Sequence, residues 1–288
     1  MHLSVLLISS VLLLAPAPAP TSSRLHHWRT GPVTLDAALL GVGPGTALIV
    51  TEDHTVERHH ENQLAVLQAL KQQGRRVSVG FEFLAFPYQG WVDRYVRGEL
   101  PDEAFTHAVR WGGTPFAWYK PLILFPKDAG GEAVALNAPE QVTRALAQRG
   151  VDGLTAEERA LLPPGFTLGS GAYFERFAET MRQDHGAMPE QALANFFAAQ
   201  SAWDDTMAWQ AARYLAAHPE QVLVIIVGDV HGAYGGGLPD RLWARGVTRT
   251  VVISQVDASG LDDAAVAAVL APHPAYGPRA DFIWITGR

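Results

Sequence analysis

Apolar runs and acidic or glycine-bearing turns alternate along this chain in the rhythm of a β/α protein. Ala47-Leu48-Ile49-Val50 is unbroken, branched and too short for a helix, and so predicts a buried strand. From Glu57 to Gln73 the apolar residues Leu64, Leu67 and Leu70 fall at helical spacing, and Gly74 stops the pattern. Val77 to Phe83 predicts a second strand, which closes a β-α-β unit of the kind that is right-handed in nearly all folds. The same reading places strands at 133–139, 222–227, 250–254 and 280–285, and helices at 35–40, 140–148, 192–217 and 238–245. The expected fold is α/β, with a mainly parallel central sheet flanked by helices.

Two stretches interrupt this rhythm. Between about 86 and 130 the chain turns aromatic, with Phe86, Tyr88, Trp91, Tyr95, Phe105, Trp111, Phe116, Trp118 and Tyr119, and short helices are expected. From 151 to 200 there is no strand-like run, and several helix-like segments point to an inserted helical region. The organisation expected is one α/β domain from 23 to 288 carrying these two insertions.

Two strands end in the same way, Thr51-Glu52-Asp53-His54 after the first and Gly228-Asp229-Val230-His231 after the fourth. Open parallel sheets collect ligands at the carboxyl ends of their strands. The two elements form one site only if the first strand and one of the last lie side by side. Glu82 and Asn137 end two other strands, so Glu52, His54, Glu82, Asn137 and His231 form a candidate metal set. Imidazole and carboxylate suit zinc, iron or manganese, although a buried His or Asn at a strand end is equally a satisfied structural group.

His59 and His60 open the first long helix. One of them is expected to turn back toward the strand end in neutral form, since the helix N-terminus disfavours imidazolium, and exposure is expected for at least one. The loop from Gly228 to Pro239 resembles a phosphate loop only loosely, for no Lys follows its glycines. Its glycines instead allow a flat or bulky ligand close to the backbone, beside Tyr234. In the aromatic stretch Tyr88 and Tyr119 are candidates to line a cleft for a planar cofactor such as haem, for which Tyr and His are both known ligands. Core packing is the alternative for each aromatic.

With 288 residues and 48% hydrophobic content the chain is long enough for a sizeable core. The net charge of -7, with no clustered Lys and Arg, argues against nucleic acid and against electrostatic attachment to anionic membranes. Cysteine is absent, which excludes disulfides, thiolate ligands and a Cys nucleophile. Leu3 to Ala15 is almost entirely apolar and is followed by Pro16 to Ser23, small and Pro-rich. Residues 1–22 therefore read as a signal peptide, with export to the periplasm or cell envelope. An uncleaved leader is the alternative and the one expected route to membrane association.

The motifs Thr51-Glu52-Asp53-His54 with His59-His60, Gly80-Phe81-Glu82-Phe83 with Gln89, Leu136-Asn137-Ala138-Pro139, Ala199 to Ala208, and Gly228-Asp229-Val230-His231 occur in one order across 48–243. In them the chain resembles the ChaN-like haem-binding lipoproteins of the wider Tiki and erythromycin-esterase superfamily. The resemblance implies an α/β core with helical insertions and an iron-regulated envelope protein that binds haem, as a homodimer, with His and Tyr near the iron. Carried onto this sequence, the candidates for the cofactor are His54, His59, His60, Tyr88, Tyr119, His231 and Tyr234. The chain departs from the family in having no lipobox Cys and in carrying Thr51 where the superfamily has the first glycine of its paired Gly-x-x-His elements.

Haem binding in iron or haem acquisition is the leading expectation. The competing one is a metal-dependent protease or esterase with Glu52 or Glu82 as general base and His54 or His231 on a divalent metal ion or the carbonyl. A third is a catalytically silent partner-binding scaffold.

Overall fold

The uninterrupted apolar runs form the middle of one eight-stranded sheet in a computed structural model that describes residues 24–288. The signal peptide read at residues 1–22 lies outside the described residues. The chain opens with β1 (Arg24–His27), β2 (Gly31–Val33), α1 (Leu35–Leu39), β3 (Ala47–Glu52), α2 (Glu57–Gln72) and β4 (Val77–Ala85). A single 3-10 turn, Phe86–Tyr88, leads into α3 (Gln89–Val96), α4 (Asp102–Ala108), α5 (Phe116–Asp128), β5 (Ala133–Asn137) and α6 (Glu140–Arg149). There follow α7 (Ala156–Arg159), α8 (Gly171–His185), α9 (Glu190–Ala217), β6 (Val222–Gly228) and α10 (Asp229–Gly232). The chain closes with α11 (Leu238–Ala244), β7 (Thr250–Asp257), α12 (Asp263–Leu270) and β8 (Phe282–Thr286). Among the described residues no helix is long and apolar enough to cross a membrane.

The strand order is β2-β1-β8-β7-β3-β6-β4-β5, and every pairing among β3 to β8 is parallel. The fold is therefore α/β with a mainly parallel sheet, as expected. Period-two alternation sends Leu48, Val50, Val224 and Ile226 to one face, under α2 and α5, and Ala47, Ile49, Leu223 and Ile225 to the other, under α9 and α11. Because both faces are covered, the runs Ala47–Val50 and Val222–Val227 are apolar at every position. β3 lies directly beside β6, with Glu52 opposite Gly228, so the two strand-turn-His elements are neighbours.

The hairpin of β1 and β2 at one sheet edge was not legible in the sequence. Its strands pair antiparallel to each other and to β8, with Leu25 opposite Trp284 at the far end of the chain. Arg24-Leu25-His26-His27 carries no apolar period of its own.

At the other edge, β5 has a free side. The Gln89 amide occupies it, donating to the Ala133 carbonyl at 2.9 Å and accepting from the Ala135 N–H at 2.7 Å. One side chain thus stands in for a ninth strand at those two groups. Gln89→Met keeps the volume and leaves both backbone groups unpaired, so urea unfolding is expected to show a loss of about 1–3 kcal/mol.

Candidate functional site

At the carboxyl ends of β3, β4 and β6 two carboxylate-centred networks meet. The first is built on Glu52, fully buried at the end of β3. It accepts from His54 Nδ1 at 2.8 Å, from Gln63 Nε2 of α2 at 2.7 Å and from the Tyr119 hydroxyl of α5. His54 thereby carries its proton on Nδ1, and Nε2 makes no hydrogen bond with the described residues. Burial alone would lower the His54 pKa, but the bond to Glu52 and the charge of Glu82 outweigh it and hold the ring above its usual range.

The second network runs through His231. Its Nδ1 lies 2.7 Å from Asp204 Oδ1 of α9, and its Nε2 lies 3.2 Å from Glu82 Oε1. Asp204 accepts on its other oxygen from the Tyr173 hydroxyl of α8 at 2.8 Å, and Gln200 Nε2 donates to that hydroxyl at 3.0 Å. Burial would favour neutral imidazole, yet the two carboxylates push His231 up to about 10. The same burial would raise Glu82, but the His231 imidazolium, with His54 and the Gly228 N–H at 2.6 Å, brings it down to about 2. His231 is thus a buried imidazolium clamped between two carboxylates.

Gly228 is where the two networks touch. A Cβ there would lie 2.9 Å from His54 Cε1, 3.0 Å from Nε2 and 3.5 Å from Glu82 Oε2. Only glycine lets the His54 ring approach this backbone. Thr51, which departs from the family's glycine, lies within β3 rather than in a turn. Its hydroxyl donates to Asp229 Oδ1 at 2.7 Å, and its methyl fills the space where a Cβ on Gly232 would lie, 2.6 Å away.

Both helix-opening histidines turn inward, contrary to the expected exposure of at least one. His59 Nδ1 accepts from the Asp53 N–H at 2.9 Å, so the ring is neutral and Nε2 donates to Thr286 Oγ1 at 3.0 Å. Burial lowers its pKa in agreement. His60 stacks on Trp118 with centroids 5.3 Å apart, and its Nδ1 lies 3.4 Å from Glu52 Oε2, yet both ring nitrogens are buried without a hydrogen bond.

Tyr119 is also wholly buried, with its hydroxyl committed to Glu52, and burial beside that charge raises its pKa far above the usual range. Most of the aromatic stretch packs on itself, as in the stacked pair Tyr95 and Phe105 at 4.2 Å. Tyr88 differs. Its half-buried ring lines two adjoining cavities of about 200 and 490 Å³ that share Ala85, Arg110 and Glu140, and its hydroxyl makes no hydrogen bond with the described residues. Glu82, Phe83 and Asn137 line the inner cavity, and Arg144 and Arg149 the outer one. Tyr234 lines a separate cavity, with a left-handed backbone at φ 61° and its hydroxyl 3.4 Å from Arg279.

The five residues read as a metal set are not arranged as one. His231 has both nitrogens between carboxylates, Glu52 is spent on three donors, and the Asn137 carbonyl oxygen accepts from the Ala138 N–H at 2.8 Å. Among the described residues no group of three or more His, Asp or Glu side chains has an arrangement that holds a metal ion. General-base roles for Glu52 and Glu82 are equally ill served, since Glu52 is enclosed and Glu82, at about 2, is too weak a base near neutral pH. Tyr173 carries no signal in the sequence, and Gln200 and Asp204 fall within the motif Ala199 to Ala208, where the sequence alone assigns them no role.

A family described as haem-binding uptake, Tiki superfamily, ChaN matches residues 44–242. A solved structure titled cofacial heme binding to ChaN of Campylobacter jejuni has a similar fold, with a TM-score of 0.67 and 16% identity over 92% of this chain and 97% of that one. A mutant of the erythromycin esterase EreC in its open conformation has a TM-score of 0.50 at 11% identity, over 88% of this chain and 92% of that one. Among curated proteins, the chloroplastic RETICULATA-RELATED 5 of Arabidopsis thaliana is 22% identical over 222 residues. That match takes in 72% of this chain, which spans only 29% of the plant protein's length.

Proposed function

The chain belongs to the ChaN haem-binding uptake family of the Tiki superfamily, and from that membership we propose that it binds haem in the cleft lined by Tyr88. The observation that carries the proposal within the molecule is the Tyr88 hydroxyl, uncommitted on the cleft wall while Tyr119 is sealed in the core. Phenol oxygen and imidazole nitrogen are both haem donors, and His54 Nε2 at the same strand ends is the second uncommitted one. Phe83, Ala85 and Pro139 supply apolar wall, and Arg110, Arg144 and Arg149, which pair with Glu140 and Glu158 on the same wall, are the guanidinium groups that haem carboxylates would have to take over. Haem, when bound, would supply redox and ligand chemistry, and Tyr88 and His54 would be the residues to hold it.

The cofacial binding named for the Campylobacter protein supports a homodimer with two clefts facing each other. The apolar run at 3–15 supports export to the periplasm or cell envelope, and the haem-binding uptake named for the family supports a role in iron or haem acquisition. Titration of the purified apo-protein with hemin is expected to shift the Soret band with a sharp stoichiometric endpoint. An unshifted band at near-stoichiometric hemin overturns the reading.

A second reading rests on one observation, that Glu52 orients His54 and leaves Nε2 without a hydrogen bond among the described residues, its ring 4.8 Å from that of Phe83 on the inner cavity wall, the arrangement of a general base and its orienting carboxylate. It names ester hydrolysis with His54 as base. Ester panels on wild type and His54→Gln test it, and equal rates remove it.

A further inference from the structure

A cavity of about 160 Å³ shares Tyr173 with the His231 network and no residue with the cleft at Tyr88. Its chemistry centres on Arg176 of α8, which is only 8% exposed. The guanidinium carbon lies 5.0 Å from the Tyr173 ring centroid and 5.7 Å from that of Tyr234. One N–H group donates to the Val230 carbonyl at 3.2 Å, but Arg176 makes no ion pair among the described residues. By contrast, Arg245 pairs with Asp205 and Arg279 with Asp229. The Glu179 carboxylate nearby is held by the Tyr276 hydroxyl at 2.9 Å rather than by Arg176, and a desolvated guanidinium facing a cavity without an ion-pair partner is costly unless a ligand supplies one.

Asp240 of α11 lines the same cavity, and its carboxylate likewise has no ion pair or hydrogen bond among the described residues. The two charges narrow the ligand. A simple anion answers Arg176 but meets the like charge of Asp240, and a simple cation reverses the conflict. A molecule carrying both charges satisfies both walls. Arg176 and Arg279 already lie over the Tyr234 ring and His273 stacks on Tyr276, so the ammonium is left to Asp240 and the tyrosines serve as wall; the first turn of α8, entering at Ala172, adds its positive dipole end. The volume limits the ligand to a few heavy atoms beyond its charged groups.

We propose that this cavity binds a small α-amino acid, with its carboxylate on Arg176 and its ammonium on Asp240. The site is separate from the haem cleft and does not depend on the haem reading.

Isothermal titration of the full apo-protein with glycine, alanine and serine tests it, with acetate, ethylammonium and inorganic phosphate as singly signed probes. At least one amino acid is expected to bind saturably, and each singly signed probe to bind about tenfold or more weakly. Asp240→Asn and Arg176→Gln are each expected to weaken the amino acid about tenfold to a hundredfold and to leave the hemin titration unchanged. Arg176→Gln also removes buried packing, so Asp240→Asn, at an exposed position, carries the test if that variant does not fold. Absence of heat from every amino acid overturns the proposal. So does acetate binding as tightly as alanine with Asp240→Asn silent, which marks a plain anion pocket.

Discussion

His231→Gln is expected to lower the stability of this protein by about 3–5 kcal/mol, the range found when one partner of a buried ion pair is removed. The imidazolium is nearly inaccessible and lies between Asp204 at 2.7 Å and Glu82 at 3.2 Å. Glutamine keeps hydrogen-bonding capacity but leaves two carboxylates without their shared cation. Urea unfolding measures the loss, and the double variant Glu82→Gln with His231→Gln is expected to recover part of it, because one stranded charge is gone. A loss below about 1 kcal/mol, the median of a surface pair, would show that the clamp is not charged as described.

The same clamp sets a pH profile. His231 has a folded pKa raised from 6.5 to about 10, so its contribution is complete below 6.5 and is lost as pH rises through 10. Glu82 has a folded pKa depressed from 4.5 to about 2, so its contribution is complete above 4.5 and is lost as pH falls through 2. The wild-type contribution is therefore greatest between 4.5 and 6.5 and declines on both sides. His231→Gln is expected to erase the alkaline decline. Stability measured from pH 5 to 10 for the two proteins reads this directly.

How much of this was written in the sequence depends on how each residue is buried. β3 and β6 are buried on both faces, which fills Ala47 to Val50 and Val222 to Val227 with apolar residues and makes these runs, and the polar stops at Thr51-Glu52 and Asp229, visible in the sequence. The register that sets Glu52 beside Gly228 follows only from packing, as does the choice of β6 over another strand. The helix residues that complete the site were harder to see. Gln200 and Asp204 lie four apart, on one side of α9, inside a helix otherwise rich in alanine and aromatics. Two polar residues at that spacing in a buried helix are a signal that could have been read. Tyr173 has none, because its role comes from α8 folding back over α9. The aromatic stretch misled for a related reason: its composition suits a cofactor wall and a core equally, and only depth separates Tyr88 from Tyr119.

Tyr88→Phe is expected to weaken hemin binding by more than about a hundredfold and to change the Soret and charge-transfer bands. Substitutions one shell out from a metal already cost about 10–100-fold in affinity, so on the proposed role of Tyr88 the removal of its oxygen lies beyond that range. The variant removes one oxygen that makes no hydrogen bond with the described residues, so stability is expected to stay within about 0.5 kcal/mol of wild type. Tyr119→Phe gives the opposite pair of results. Its hydroxyl is one of three donors to the buried Glu52, so its removal is expected to cost about 1–3 kcal/mol of stability while hemin still binds. Hemin titrations and urea unfolding on both variants separate ligand from scaffold. If Tyr88→Phe binds hemin with an unaltered spectrum while Tyr119→Phe loses it, the residue that holds hemin lies in the core, α5 must open to expose it, and the assignment of the cleft is wrong.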